Sequence, residues 1–202
     1  MIAFEEYVKI KNNYCICYFG YCNEYLVLLE ILRPYIEAAF PGMNFYISCK
    51  DDCLSFLSDH TKVLPISELK IRKKEFAHIK ELKNDGKKHP IQDILEQSDI
   101  ELPKINLQNN QTTSKAIIVK ENTYPTNPLT SKQIQTATRI AESKGFQVEV
   151  SNDWNNSGLV IGVESEAVLR AAYYGIPVIL ADNGIGTDFY SKLFPTLTIL
   201  PD

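Results

Sequence analysis

The alternation of apolar and polar positions is most informative in the second half of the chain. Leu159 to Gly162 and Pro177 to Ala181 are short apolar runs, and the segment between them carries its apolar residues at helical spacing. Two buried strands joined through a helix predict parallel neighbours with a right-handed crossover, a unit that needs more sheet around it. Upstream, Ala116 to Val119 predicts another buried strand. Thr130 or Ser131 can then cap a helix whose Ile134, Ala137, Ile140 and Ala141 face inward, and Gly145 stops it. Phe146 to Val150 predicts the next strand, and a short helix near Phe189 to Leu193 precedes a last strand, Leu197 to Leu200.

The first half alternates in the same way. Tyr14 to Phe19 is an apolar, aromatic run ending at Gly20, as a central strand does where it enters a loop. From Glu24 onward, Tyr25, Leu28, Leu29, Leu32, Ile36, Ala39 and Phe40 recur at helical spacing until Pro41 and Gly42, with Pro34 expected to kink or restart the helix. Asn44 to Ser48 predicts a second strand, Cys53 to Leu57 a short helix and Lys62 to Leu64 a third strand. From Glu68 to Asp99 lysines interleave with Glu68, Glu75 and Glu81, the pattern of a solvated helix face rather than of a basic patch for an anion. IQDILEQSDI predicts a further helix. Glu101 to Ser114 is polar and aperiodic and serves as the linker, so residues 1–104 and 105–202 are expected to form two α/β lobes.

Composition narrows the function. With 202 residues, 45% of them hydrophobic and 23% charged, the chain has the make-up of an ordinary globular protein. A net charge of -4 gives no general attraction for phosphate backbones or anionic membranes, which speaks against nucleic acid as a partner. The opening residues lack the continuous apolar stretch of a signal peptide, and no run reaches membrane-spanning length, so a cytoplasmic protein with no transmembrane segment is expected. The five cysteines, Cys15, Cys17, Cys22, Cys49 and Cys53, lack the paired spacing of a zinc site and read as reduced, buried thiols with no metal.

In open α/β sheets ligands gather beyond the carboxyl ends of the strands. Those ends are polar here: Glu164 and Ser165 follow one strand, and Asp182, Asn183 and Gly184 follow another.

At GLVIGVESEAVLRAAYYGIPVIL the chain resembles the nucleotide-binding half of GT-B glycosyltransferases, especially the heptosyltransferase group called family 9. Glu164, Ser165, Ala171, Ala172, Gly175 and Pro177 carry the resemblance. The strand ending at Gly20, the acidic Glu24, the long helix and FPGMNFYIS resemble that group's N-terminal lobe. The chain departs from the group at Glu164-Ser165-Glu166, where an Asp-Thr-Gly is usual, and at Leu169, which stands where the group has His.

The resemblance implies two Rossmann-like lobes with parallel sheets and an interlobe cleft, the N-terminal lobe on the acceptor side and the C-terminal lobe binding the nucleotide sugar. It implies transfer of a sugar from a nucleotide-sugar donor to a glycan or other hydroxyl acceptor, with no metal or other cofactor. Glu24 is then the catalytic base. Ser165 and the helix start behind it meet phosphate oxygens, Glu164 accepts ribose hydroxyls and Lys120 offsets phosphate charge. Asn183 and Gly184 form a turn able to approach the ligand, and Trp154 stacks on a base or sugar. Glu166 opposes the phosphate reading, because a second carboxylate in the first helical turn competes with an anion. The rival reading is a non-catalytic binding or structural module on the same fold.

Overall fold

The computed structural model describes residues 12–20, 23–57, 62–83, 88–98, 100–101, 103–105, 113–120, 128–181 and 187–200, with the backbone alone for Asn23 and Thr187. The chain divides into two compact units, Met1–Glu101 and Leu102–Asp202. Each is a parallel sheet with helices between its strands.

The first unit runs β1 (Asn13–Cys17), α1 (Asn23–Ala39), β2 (Asn44–Cys49), a 3₁₀ turn (Asp51–Phe56), β3 (Val63–Pro65), α2 (Ile66–Arg72), a second 3₁₀ turn (Lys73–Glu75), β4 (His78–Glu81) and α3 (Pro90–Glu96). Its four strands lie in the order β3-β2-β1-β4 and are all parallel. Alternation sorts β1 onto two faces. Cys15 and Cys17 pack with Leu64, Leu69 and Phe76, which leaves Tyr14 and Ile16 on the other face.

The four described cysteines are free and buried. Burial pushes the thiols of Cys15 and Cys49 up to about 12, so at neutral pH they are protonated, apolar packing groups. Cys22 lies outside the described residues.

At Pro34 the helix continues rather than restarts, and one part of this unit differs from the sequence expectation. Helix α1 passes through Pro34 without ending, since its apolar face is buried on both sides of the proline, at Ile31, Leu32 and Ile36, while Pro34 itself is exposed. Proline at this position removes one intrahelical bond, a loss smaller than the burial that holds the helix in place. The charged stretch after Glu68 is not all helix. Arg72 pairs with Glu68 at 2.7 Å and with Glu75 at 2.8 Å, tying α2 to the turn after it, and the chain then enters β4. Among the described residues strand β4 is the sheet edge and pairs with β1 alone, which is where polar residues such as His78, Lys80 and Glu81 are tolerated.

The second unit runs β5 (Lys115–Ile118), α4 (Ser131–Ser143), β6 (Gln147–Val150), β7 (Leu159–Gly162), α5 (Glu166–Tyr173), β8 (Val178–Leu180), α6 (Thr187–Leu193) and β9 (Leu197–Ile199). Its five parallel strands lie in the order β6-β5-β7-β8-β9. Of the linker stretch, Ile105 is buried and its amide donates to the Leu193 carbonyl at 2.8 Å, which fastens it to this unit. Helix α4 starts at a capping box: Gln133 N–H donates to the Thr130 hydroxyl at 3.2 Å, and Thr130 N–H to Gln133 Oε1 at 2.9 Å. Gly175, with φ +77°, ends the turn after α5 in the left-handed region that glycine enters without steric cost.

Helices α4 and α5 lie on opposite faces of the second sheet. Ala137 and Ala141 of α4 pack with Ala116, Ile118, Leu159 and Ile161. On the other face, a Cβ placed on Gly162 would lie 2.8 Å from Val168 Cγ2 of α5 and 3.2 Å from Val119 Cβ. Glycine therefore sets how closely α5 sits on β7. Among the described residues no helix is long and apolar enough to cross a membrane.

Gly162→Ala should lower stability by about 1–3 kcal/mol through overpacking. The check is the urea midpoint at unchanged slope; an unmoved midpoint would mean that Val168 yields freely.

Candidate functional site

The strand order of each unit marks one place where the connections reverse direction. In the second unit the chain leaves β5 for β6 on one side and returns to β7 on the other, so the reversal lies between the carboxyl ends of β5 and β7. Helices diverge to opposite faces there and leave a crevice for a ligand.

Lys120 and the Glu164-Ser165 pair occupy these two strand ends. Pairing continues past β5, with Val119 N–H donating to the Ile161 carbonyl at 2.8 Å, which sets exposed Lys120 beside the start of the β7 loop. Ser165 is fully buried, with extended backbone, and caps α5 by accepting from Val168 N–H at 3.4 Å. The opening turn of a helix carries amide groups with no intrahelical acceptor, and Ser165 takes up one of them. Glu164 is half-buried, and the hydroxyl of fully buried Tyr190 donates to its Oε1, fixing the carboxylate from α6. Glu166, the acid set against an anion, pairs with Arg170 one turn along α5 at 2.8 Å. That pairing offsets its charge with a guanidinium on the same helix.

Other expected ligand residues fall differently. Trp154 stacks on Tyr174 with ring centroids 5.6 Å apart and planes at 20°. Tyr174 follows the last residue of α5, whereas Ser165 precedes the first, so about 12 Å of helix separates the two ends. Trp154 thus belongs to the amino-terminal edge of the sheet, away from Glu164 and Ser165. Asn183 and Gly184 lie outside the described residues.

The first unit has its own reversal, between β1 and β4. Here Leu82 N–H donates to the Cys17 carbonyl at 2.8 Å, and α1 begins just after β1. Glu24 stands in the first turn of α1, 1% exposed, with its carboxylate at the positive end of a 17-residue helix. Beside it Tyr25 packs edge-on to Tyr18 at 5.5 Å and to His89 at 5.1 Å. Buried His89 caps α3, its Nδ1 accepting from Ile91 N–H at 3.3 Å, which leaves Nε2 to carry the ring proton.

Sequence reasoning missed His89 and Tyr190. A His before a Pro that opens a helix was the available signal for the first, since Pro favours the first helical position; nothing local marks the second, which meets Glu164 from 26 residues away.

No family model and no curated protein matches the sequence. Among solved structures, the chain superposes on a family 9 glycosyl transferase from Veillonella parvula DSM 2008 with a TM-score of 0.55 and 9% identity, covering 95% of this chain and 87% of that one. It matches the E. coli heptosyltransferase WaaC, solved with ADP, with a TM-score of 0.50 and 8% identity, covering 93% of this chain and 92% of that one. The chain has the fold of GT-B glycosyltransferases. At these identities the likeness to family 9 and the heptosyltransferases lies in the architecture of the two α/β units, and the residues at the strand ends have to be judged on their own chemistry.

Ser165→Ala should cost about 1 kcal/mol of stability through the lost cap, and Ser165→Gly only a few tenths. Chemical denaturation of both variants checks this. Equal losses would show that the Val168 amide does not depend on the hydroxyl.

Proposed function

We propose that the chain transfers a sugar from a nucleotide-sugar donor to a hydroxyl acceptor without a metal ion, the first unit serving the acceptor and the second the donor. The observation that carries this reading is the convergence of Lys120, Glu164 and the Ser165-capped start of α5 at the reversal between β5 and β7. Helix amides with a lysine nearby supply what a diphosphate needs: donors aimed at its oxygens and a cation to balance its charge. A carboxylate held by a tyrosine hydroxyl is suited to accept hydrogen bonds from ribose hydroxyls. The GT-B fold and the ADP of the heptosyltransferase structure support a nucleotide as the ligand.

In the transfer step the acceptor oxygen bonds to the anomeric carbon of the donor sugar as the bond from that carbon to the diphosphate oxygen breaks. The acceptor proton passes to a base, and the diphosphate leaves with the bonding pair. Glu24 is the proposed base, and the proposed phosphate contacts stabilise the departing charge. Asn183 and Gly184 remain proposed donor contacts. Trp154 is not among them, given its stack on Tyr174.

The test is thermal unfolding with a panel of nucleoside diphosphates. A ligand at a hundredfold excess over its Kd should stabilise the chain by about 2.7 kcal/mol. Ser165→Ala should shrink that shift relative to its own ligand-free Tm. Glu24→Gln should keep it while abolishing release of nucleoside diphosphate from the matching nucleotide sugar with acceptor present. No shift with any nucleotide at millimolar concentration would replace this reading with the non-catalytic one.

A further inference from the structure

We propose that the first unit binds a small monocarboxylate, with an acyl or aryl body, in a cavity at the end of α1 remote from Glu24. The cavity has a volume of about 220 Å³ and lies between the last turns of α1, strands β1 and β4, and the segment after α3. Ile36, Phe40 and Met43 form its apolar wall, and Tyr14, Lys80 and Ser98 bring polar atoms to it. The volume equals that of roughly seven liquid waters, room for a body of six or so carbons and one head group.

Two independent observations point to an anionic head group. The Tyr14 hydroxyl is buried and makes no hydrogen bond of good geometry among the described residues, Ser98 lying close enough to act on it but not to satisfy it, a state that costs free energy unless something else accepts from it. Burial pushes its pKa up, with Ser98 opposing that shift, so the phenol remains a neutral donor. Lys80, half-buried on the same face of the sheet as Tyr14, donates to Ser98 Oγ at 3.2 Å and forms no ion pair among the described residues. A phenol donor and an ammonium lining one apolar cavity match a carboxylate, which accepts at both oxygens and brings the missing charge. A neutral alcohol would satisfy the phenol and leave the ammonium uncompensated; an amine would be repelled.

Isothermal titration of the full chain with hexanoate, benzoate, hexan-1-ol and hexylamine tests the assignment. At least one acid should bind saturably and at least tenfold more tightly than the alcohol, with no binding of the amine; hexanoate against benzoate tells an acyl from an aryl ligand. Lys80→Met should weaken acid binding about tenfold and leave the alcohol unchanged, and Tyr14→Phe should weaken the acid about fivefold. Met43→Trp, on a half-buried side chain, should fill the cavity and abolish binding of both, with circular dichroism confirming the fold. Failure of both acids to bind at millimolar concentration would overturn the proposal, as would alcohol and acid binding equally, or acid binding that all three variants leave unchanged. Nucleotide-induced thermal shifts provide a separate readout, so this result stands or falls apart from the transferase reading.

Discussion

A parallel sheet that grows on both sides of its first strand has to reverse the direction of its connections once, and each unit of this chain is built around that reversal. Right-handed crossovers then send consecutive helices to opposite faces. The strands on either side are buried by their neighbours, and their carboxyl ends lie where consecutive helices diverge, next to helix starts whose amides can partner polar side chains such as Ser165. In the second unit the reversal falls between β5 and β7, and in the first between β1 and β4. Glu164 with Ser165, and Glu24, stand at these two places because the topology opens each sheet there. Gly162 extends the same constraint into packing, since its missing side chain lets α5 lie close enough for Ser165 to start the helix at the crevice.

Electrostatics at the start of α5 follow from neighbours that the helix itself supplies. Two carboxylates flank Ser165, an arrangement that by itself repels an anion. Arg170 takes up the charge of Glu166 within the helix, and Tyr190 holds Glu164 by a hydrogen bond from α6. Lys120 adds a cation from the neighbouring strand end. Among the described residues this edge brings together an anchored carboxylate, a lysine and a helix start.

Strand β7 was legible to the residue, Leu159 to Gly162, because a strand buried on both faces is a continuous apolar run. Ser165 as a cap and Gly145 as a stop were legible for the same local reason: each is chosen by backbone geometry at its own position. Strand β4 was not legible, since an edge strand with lysine, histidine and glutamate carries no apolar signal and follows a helix of similar composition. Pro34 did not restart the helix, because burial along the rest of α1 outweighs the bond that proline removes. Trp154 looked like a ligand platform until its partner Tyr174 placed it at the other end of α5. Pairings such as Tyr190 with Glu164 depend on distant segments meeting, which periodicity does not encode.

Amide shift mapping by NMR, on the ¹⁵N-labelled chain titrated with ADP and UDP, addresses the central claim most directly, because it reports which edge of which sheet a nucleotide meets. The largest shifts should fall on Lys120 and on Val163 to Val168, at the reversal between β5 and β7. Shifts clustered instead around Trp154, Tyr173 and Tyr174, or no shifts with either nucleotide, would contradict it.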